Sequence, residues 1–429
     1  ASDKNMGYTV ASIITIGDEL LIGQVIDTNS AWMAQELNKA GIQVIRRVAV
    51  GDEWKAIWQA LDEERAQADI ILITGGLGPT ADDITKPLLC EYFNGKMVVD
   101  SGALENVKNI FENILKRPMI ERNLKQAEVP DCCTVIPNHR GTAPGMWFEQ
   151  VLSDQSKKIF VSMPGVPHEM KGMMTKDVIP KLCATFSFPY LIHRTLLTAG
   201  VGESFLAEKI KDFEAALPTH IRLAYLPNYG MVRLRLSAAG KDKVQIEQEV
   251  QQQFDQLQFL VHEFLVVDED LTMQQVVGKL LLARHKTVAT AESCTGGYIA
   301  HLLTSSPGAS AYYNGSVISY SYQAKEDLLG VSHSDISQLG AVSEQVVQQM
   351  ALGAKKQLKT AYAIAVSGIM GPDGGTPDKP VGSVWVAIAG ETKVVTQLFH
   401  FRFDRERNIQ LTALNALNLL RKLILEEQP

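Results

Sequence analysis

The stretch that decides the fold is residues 68–87, which read "ADIILITGGLGPTADDITKP". Its first half is mostly apolar and β-branched, and it predicts a buried strand that ends in a glycine-rich turn. After this turn, Pro79 or Thr80 is predicted to open a helix whose first turn carries Asp82 and Asp83. Aspartates at such a place either complement the helix dipole or hold a cation beside a bound phosphate.

Similar strands lie on both sides of this stretch, at "YTVASIITIG", "IQVIRRVAV" and "KIFVSMPG", and amphipathic helices such as "TNSAWMAQELNKAG" separate them. This alternation predicts a three-layer α/β domain with a mainly parallel sheet. From about residue 190 the pattern indicates a small α+β module with an antiparallel hairpin. A second α/β block follows, with strands at "TVATAES", "GSVISYS", "AYAIAVSG" and "GSVWVAIAG". The predicted fold class is α/β, with domains at residues 1–172, 173–262 and 263–429.

The composition narrows the class of function. The 429 residues are 46% hydrophobic and 21% charged, with a formal net charge of −7. The chain is long enough for several cores, and its acidic balance argues against nucleic acid as a partner. The five cysteines are an odd number without metal-ligand spacing, which predicts reduced thiols. Because no apolar segment approaches the length of a membrane span, we expect a soluble cytoplasmic protein with no membrane partner.

Acidic residues recur where the predicted strands of the first domain end. "GDELLIGQVIDTN" at residues 17–29 carries Asp18, Glu19 and Asp27, "MPGVPHEM" at 163–170 carries Glu169, and Asp52 follows another strand. Ligands of open α/β sheets bind at the carboxyl ends of strands, where glycine amides can cradle a phosphate. A single acid there is more often a capping or turn residue, but the recurrence indicates a phosphate and metal site at one edge.

The second α/β block contains "TAESCTGGYIA" at residues 290–300. Ser293 is either the N-cap of a helix or a nucleophile at a strand-to-helix turn. Cys294 is intrinsically the better nucleophile, but adjacent side chains point in different directions, so we predict that it is a small buried side chain. No histidine is an obvious base. Lys325, in "SYSYQAKEDLLG", either pairs with an acid such as Glu326 at the surface or is a base whose pKa is lowered by burial.

The motifs "GDELLIG…DTN", "TGGLGPTADD" and "MPGVPHEM" resemble those of the CinA family. The resemblance implies a MoaB/MogA-like N-terminal domain with metal-dependent ADP-ribose pyrophosphatase activity. By this resemblance the nucleotide would contact Gly17, Asp18, Asn29, Gly75, Gly76, Gly78, Thr80, Pro164 and Gly165. The metal would be held by Asp18, Asp52, Asp83 and Glu169. The family favours cobalt assisted by potassium, whereas the carboxylates by themselves suit magnesium.

"AESCTGGYIA" resembles the signature of the family's C-terminal domain, a nicotinamide mononucleotide deamidase that needs no cofactor. The resemblance implies Ser293 as nucleophile, Lys325 as base and Tyr320 as the residue that orients it. Oxyanion and substrate contacts would come from Thr295, Gly296, Gly297, Gly371, Gly374, Gly375, Thr376, Lys379 and Arg405. Four positions depart from the family pattern and bear on the shape of the substrate pocket: Asn314, Tyr322, Phe403 and Ile409.

The resemblance also implies a KH-like middle module and a homodimer. The module's "AGVGESFLAEKI" lacks the Gly-x-x-Gly loop with basic flanks of a nucleic-acid clamp, so a spacer or dimer contact is the expected role. Two hypotheses remain open at this point. One is a bifunctional salvage enzyme that binds nicotinamide mononucleotide and ADP-ribose. The other is a competence- or damage-linked interaction protein whose N-terminal domain binds a nucleotide or molybdopterin without catalysis.

Overall fold

The N-terminal domain is built on a six-stranded sheet in the order β2-β1-β3-β8-β7-β6. The structure is a computed structural model and describes residues 8–228 and 230–427. The first four strands in that order are parallel, and β7 and β6 are antiparallel. Two further strands, β4 and β5, pair with each other. The strands are β1 Val10–Ile16, β2 Gln43–Val50, β3 Ile70–Thr74, β4 Met97–Val99, β5 Glu128–Pro130, β6 Thr134–Ile136, β7 Gly145–Val151 and β8 Lys157–Met163.

Helices cover both faces of this sheet, as the sequence predicts for a three-layer domain. Alternate residues of β1 face opposite cores, with Ile13 in one buried cluster and Ile14 in the other. The helices are α1 Asp18–Leu21, α2 Thr28–Lys39, α3 Trp54–Gln67, α4 Thr85–Tyr92, α5 Ser101–Asn109, α6 Glu121–Leu124, α7 Pro167–Met173 and α8 Ile179–Thr185. Short π-helical segments lie at Ile110–Ile114 and Met174–Val178, and a 3-10 turn lies at Lys125–Ala127.

One boundary differs from the sequence prediction. The helix after the glycine-rich turn begins at Thr85, not at Pro79 or Thr80. The carboxylate of Asp83 accepts hydrogen bonds from the backbone N–H of Thr80 at 3.0 Å and from its hydroxyl at 2.7 Å. Together with the N–H of Asp83, which donates to the carbonyl of Thr80 at 3.2 Å, these bonds close a single turn at residues 80–83 that the helix does not continue.

The middle module is a four-stranded sheet in the order β10-β11-β9-β12 with three helices. β10 and β11 form the predicted antiparallel hairpin, in which Asn228 pairs with Met231. The strands are β9 Tyr190–Ala199, β10 Ile221–Asn228, β11 Met231–Gly240 and β12 Leu265–Val267. The helices are α9 Glu203–Lys209, α10 Lys211–Ala215 and α11 Lys243–Leu260.

The C-terminal domain repeats the layered plan with five strands in the order β14-β13-β15-β16-β17. β13 lies between β14 and β15 and is parallel to both, whereas β16 and β17 are antiparallel. The strands are β13 Val288–Glu292, β14 Tyr313–Ile318, β15 Tyr362–Gly368, β16 Ser383–Ala389 and β17 Val394–His400. The helices are α12 Met273–Ala283, α13 Tyr298–Thr304, α14 Tyr322–Leu329, α15 His333–Leu339, α16 Glu344–Leu358 and α17 Arg405–Glu427, with a 3-10 turn at Ala309–Ala311.

The chain divides into two compact units. One comprises the described residues up to Ile192 together with Ala239–Ile246, and the other comprises His193–Ala238 and the described residues from Glu247 onward. The predicted boundary between residues 172 and 173 falls inside α7.

All five cysteines are free thiols. Among the described residues, no helix combines the length and the apolar character needed to cross a membrane.

Candidate active site

Ser293 is placed by the central strand of the C-terminal sheet. β13 ends at Glu292, and the N–H of Ser293 continues the pairing with β15 by donating to the carbonyl of Val366 at 3.2 Å. The chain then turns through Gly296 and Gly297, which have φ of 60° and 104°, a left-handed conformation that disfavours other residues. Ser293 is 7% exposed, so the turn holds its hydroxyl in a nearly closed position at the end of the strand.

Glu292 is a residue that the sequence analysis missed. Its side chain is fully buried, and its carboxylate accepts four hydrogen bonds. The donors are the hydroxyls of Thr290 at 2.8 Å and Thr295 at 2.7 Å, and the backbone N–H groups of Ile299 at 2.8 Å and Ala300 at 2.9 Å. Because Ile299 and Ala300 are in the first turn of α13, the carboxylate ties the helix N-terminus to the end of β13. The hydrogen-bond partners of Glu292 therefore lie on both sides of Ser293 along the chain.

Lys325 reaches Ser293 from α14. Ser321 caps this helix by accepting from the N–H of Ala324 at 3.0 Å, so the helix begins at Tyr322 and places Lys325 in its first turn. The amine Nζ of Lys325 lies 2.8 Å from the hydroxyl oxygen of Ser293. It also donates to the backbone carbonyls of Ser319 at 2.8 Å and Tyr320 at 3.0 Å. The lysine is 1% exposed, and so the surface pairing with Glu326 that the sequence left open does not occur.

Burial is the main cause that lowers the pKa of Lys325, to about 8. A neutral amine has two N–H donors and one lone pair. The carbonyls of Ser319 and Tyr320 can take the two donors, which leaves the lone pair directed at the hydroxyl of Ser293. All hydrogen-bonding groups of the Lys325 amine therefore have partners when the amine is uncharged and accepts the proton of the serine.

Cys294 has the properties of a buried side chain. It is 6% exposed, and burial raises the pKa of its thiol to about 12. The thiolate is the reactive form of cysteine, and a thiol with this pKa stays protonated at neutral pH. The serine is therefore the better placed of the two adjacent candidates.

A pocket of about 430 Å³ opens beside the serine and lysine. It brings together most of the substrate-binding residues that the resemblance implies. Its lining is Ser293, Cys294, Tyr320, Tyr322, Lys325, Gly340, Ala341, Val342, Ser367, Gly368, Ile369, Met370, Gly371, Asp373, Gly374, Thr376, Lys379 and Arg405. Four of the predicted contacts are not in this lining, namely Thr295, Gly296, Gly297 and Gly375. The backbone N–H of Gly296 donates to the carbonyl of Ser293 at 3.1 Å, so this amide forms the turn instead of facing the pocket.

Arg405 and Tyr320 meet at the wall of the pocket. The guanidinium of Arg405 donates to the carbonyl of Gly371 at 2.7 Å and to the hydroxyl of Tyr320 at 3.2 Å. Tyr320 therefore contacts Lys325 through its backbone carbonyl and Arg405 through its phenol. Asn408, which the sequence analysis missed, is fully buried and donates to the carbonyls of Met370 and Phe403 at 3.0 Å each. It fixes the start of α17, which carries Arg405, against the loop that carries Gly371.

The departures from the family pattern lie in different places. Tyr322 lines the pocket, and its hydroxyl accepts from the N–H of Ala341 at 3.4 Å. The other three are outside the lining. Asn314 donates to the carbonyl of Leu358, the ring of Phe403 lies under the guanidinium of Arg407, and Ile409 packs against the hydrophobic core.

The N-terminal domain presents a second site at the carboxyl edge of its parallel strands. Gly17 follows β1, Gly75 and Gly76 follow β3, and Gly165 follows β8 by two residues. Asn29 donates to the carbonyl of Gly165 at 2.8 Å, and Thr74 donates to the carbonyl of Pro164 at 2.9 Å. The Cα of Gly75 lies 3.3 Å from where a Cβ on Gly165 would stand. These loops therefore meet closely, as the sequence predicts for strand ends that share one edge.

Three of the four predicted metal-binding carboxylates lie at this edge. The N–H of Asp52 donates to the carboxylate of Asp18 at 3.0 Å, and the N–H of Asp18 donates to that of Asp52 at 3.3 Å. Partial burial and the negative charges of Asp18, Glu19 and Asp83 raise the pKa of Asp52. Glu19 is thus a fourth carboxylate within electrostatic range, although it was not in the predicted metal set. Within residues 8–228 and 230–427, no group of three or more His, Cys, Asp or Glu side chains converges as a preformed metal site.

Two acidic residues of this region have other partners. Glu169 accepts from the amide of Asn138 at 2.7 Å and lines a separate pocket of about 400 Å³. Asp27 caps α2 by accepting from the N–H of Ser30 at 3.0 Å and from its hydroxyl at 2.6 Å. Gly78 and Thr80 belong to the turn closed by Asp83.

The fold and the two sites define a multidomain α/β protein that presents polar and nucleophilic groups at the carboxyl edges of two sheets. Three family models match the chain: a probable molybdopterin binding domain over residues 12–184, the damage-inducible protein CinA KH domain over 193–265, and the CinA C-terminal domain over 270–424. A CinA-like protein of Cytophaga hutchinsonii is 47% identical over 419 residues, which cover 98% of this chain and 99% of the relative. The chain belongs to the CinA family.

Two further similarities are to a relative and to a solved structure. A CinA-like protein of Flavobacterium psychrophilum is 45% identical, over 97% of this chain and 99% of the relative. The crystal structure of the competence/damage inducible protein CihA from Agrobacterium tumefaciens is 36% identical, with a TM-score of 0.35, over 35% of this chain and 93% of that one.

Proposed function

We propose that the C-terminal domain hydrolyses the carboxamide of nicotinamide mononucleotide to give nicotinic acid mononucleotide and ammonia. The observation that carries the proposal is the contact of 2.8 Å between the buried amine of Lys325 and the hydroxyl of Ser293. A serine next to a lysine of lowered pKa is a known arrangement for nucleophilic catalysis. The pocket beside it has the size for a mononucleotide and offers two cations, Lys379 and Arg405, to the phosphate.

In the proposed mechanism Lys325 takes the proton of the Ser293 hydroxyl as the oxygen attacks the amide carbon. The bond between Oγ and carbon forms, and the tetrahedral intermediate collapses by breaking the bond between carbon and nitrogen. The protonated lysine returns its proton to the leaving nitrogen, which departs as ammonia. A water molecule, deprotonated by the same amine, then attacks the acyl-enzyme and releases the carboxylic acid with restoration of the serine.

The test is incubation of the purified chain with nicotinamide mononucleotide, with ammonia and nicotinic acid mononucleotide both quantified. We expect the two products in equal amounts and no requirement for added metal. The Ser293→Ala variant is the matched control for contaminating amidases. Product formation that persists in this variant, or no product from the parent chain, would refute the proposal.

We propose that the N-terminal domain cleaves the diphosphate of ADP-ribose to AMP and ribose 5-phosphate with a divalent cation. The support is the edge at which loops rich in glycine meet Asp18, Glu19, Asp52 and Asp83. Burial and, after it, repulsion from the neighbouring carboxylates raise the pKa of Asp52, and a cation bound there would offset both effects. Magnesium is commonly held by one or two carboxylates together with substrate phosphates, which fits carboxylates that do not form a preformed cage.

A bound cation would neutralise charge on the phosphoryl oxygens. The N–H of Gly75 donates to the carbonyl of Met163 at 3.1 Å and is not offered to the phosphates. In the proposal the chain binds and orients the diphosphate with the backbone N–H of Gly76 on the phosphate side and with Asp18 and Asp52 on the metal side. Magnesium, cobalt, and cobalt with potassium are supplied in turn to protein freed of metal, and AMP is measured. Failure of every cation to give AMP would leave this domain as a binding domain, the alternative function.

We also propose a homodimer in the cytoplasm, in keeping with the family resemblance, with the middle module as a spacer or dimer contact. Light scattering after gel filtration tests the assembly. A mass of one chain at micromolar concentration would exclude the dimer.

A further inference from the structure

Tyr322 is the one departure from the family pattern that faces the candidate deamidase pocket. The resemblance gives asparagine at this position, whereas this chain places an aromatic ring there. The side chain is 53% exposed, and within the described residues no other aromatic ring packs against it. A large ring that lines a pocket and is half exposed is available to a ligand.

The ring of Tyr322 is held in place by its hydroxyl. This oxygen accepts from the N–H of Ala341 at 3.4 Å and would lie 3.7 Å from a Cβ on Gly340. The same loop is bound from the other side, because the amine of Lys379 donates to the carbonyl of Leu339. Tyr322, the 339–341 loop and Lys379 thus form one wall of the pocket, and the hydroxyl of Tyr322 ties its ring to that wall.

The charge around this wall restricts what can bind on the ring. Lys379 and Arg405 both line the pocket and are suited to an anionic phosphate. The amine nearest the serine is Lys325, whose pKa of about 8 makes the uncharged form dominant only above that pH. A ligand with a phosphate at one end and a cationic flat ring at the other would meet the two cations with its phosphate. Its ring would meet an uncharged Lys325 above about pH 8, where the amine is also the base of the proposed reaction.

We propose that Tyr322 is a specificity-determining residue that takes the positively charged pyridinium ring of the substrate on its aromatic face. This inference rests on the proposed deamidase function and adds the residue by which the site would select the charged ring over its neutral dihydro form. The face of an aromatic ring attracts a cation, and tyrosine provides this attraction where asparagine does not. Tyr320 lines the same pocket, but the positive charge of Arg405 lies 3.2 Å from its hydroxyl and disfavours a second cation on that ring, whereas the hydroxyl of Tyr322 accepts from a neutral backbone N–H.

The experiment compares two ligands that differ in ring charge and little in size: nicotinamide mononucleotide and its neutral 1,4-dihydro form. Their dissociation constants are measured by calorimetry on the full chain carrying Ser293→Ala, which prevents turnover. We expect the oxidised form to bind about tenfold more tightly. Adding Tyr322→Leu is expected to weaken the oxidised form about tenfold while the dihydro form changes less than about twofold. Tyr322→Phe, which keeps the ring, is expected to weaken the oxidised form less than leucine does.

Phe259→Leu is the matched control, because it makes a comparable aromatic-to-leucine change at a side chain that is 75% exposed and outside the pocket. If Tyr322→Leu weakened the binding of both ligands equally, the ring would have a steric role and the inference would be overturned. The inference would also be overturned if Tyr322→Leu weakened the binding of neither ligand, or if neither ligand bound at all. Ammonia release by the parent chain separates the two claims. If the parent chain releases no ammonia but binding depends on the ring charge, only the proposed reaction is refuted. If it releases ammonia but binding does not depend on the ring charge, only the inference about Tyr322 is refuted.

Discussion

The N-terminal and C-terminal domains both place their candidate sites at the carboxyl edge of parallel strands. The two sites differ in how far contacts between protein groups alone satisfy the functional side chains. In the C-terminal domain, the nucleophile and the base touch each other at 2.8 Å and are both buried. In the N-terminal domain, Asp18 and Asp52 are held through each other's backbone amides, and Asp83 is used in a turn. The first site is formed by contacts between protein groups, whereas the second leaves its carboxylates in mutual repulsion.

This difference has a physical origin. Burying a lysine against a serine is tolerated because the amine can lose its charge and satisfy two carbonyls and a hydroxyl. Several carboxylates at one edge cannot satisfy one another, because each is an acceptor. They depend on backbone amides, as Asp18 and Asp52 do, or on a ligand. The predictions below test whether the two sites differ in this way.

The largest effect is expected from removal of the nucleophile or the base. Ser293→Ala and Lys325→Met should each reduce kcat for ammonia release by roughly 10³-fold or more, because the two groups act as one unit. For the same reason the double variant should lose no more than either single variant. Ammonia is measured at saturating nicotinamide mononucleotide, and circular dichroism confirms folding. Multiplicative losses in the double variant would contradict a shared role.

At the N-terminal site, Asp52→Asn should lower the rate of AMP formation by about a hundredfold, because it removes a carboxylate placed to hold the cation. Glu169→Gln is the comparison variant. Its carboxylate bonds to Asn138, so we expect a smaller loss. Both variants should release ammonia at the parental rate, since the change lies in another domain. An equal loss in Glu169→Gln would return that residue to the metal set.

Glu292→Gln tests how far the serine depends on its buried support. An amide cannot accept all four bonds that the carboxylate accepts, so the turn should shift. We expect kcat to fall about 10- to 100-fold. The free energy of unfolding should fall by about 1–3 kcal/mol. The midpoint of the pH profile should stay in place if the residue positions the serine without titrating, and a displaced midpoint would show that its charge also acts on Lys325.

The pH dependence follows from the lowered pKa of Lys325. Only the uncharged amine accepts the serine proton, so kcat/KM should rise with pH and level off above the pKa of about 8. Between pH 7 and pH 9 the gain should be about tenfold. Initial rates are measured across this range in buffers of constant ionic strength. A rate that is flat or falls over the range would exclude a neutral amine as the base.

The smallest effect is expected from thiol reagents. Burial keeps Cys294 protonated and inaccessible, so iodoacetamide should leave ammonia release within about twofold of the untreated protein. The exposed Cys132 and Cys183 serve as internal controls, because mass spectrometry should find them alkylated. Inactivation that follows labelling of Cys294 would transfer the nucleophilic role to the thiol.

Much of the fold was predictable from local pattern. β-Branched runs gave the parallel strands of both α/β domains, because a strand buried on two faces is apolar along its whole length. The start of α4 was predicted wrongly: Thr80 donates to Asp83 in a single closed turn, and the helix begins only at Thr85. Neither helix propensity nor a glycine-rich motif specifies which backbone N–H will donate a hydrogen bond to an aspartate.

The sequence by itself determined the order of the elements, the family, and the identity of Ser293 and Lys325 as candidates, because motifs and periodicity are local properties. Only the tertiary structure decided their relation. Residues 293 and 325 lie on different elements, and their contact depends on the parallel pairing of β13 with β14 and on the cap that starts α14. Tertiary structure also gave Glu292 its four partners and gave Glu169 a hydrogen bond from Asn138. Burial and distance depend on what the rest of the chain brings near a residue, and one stretch of sequence does not contain that information.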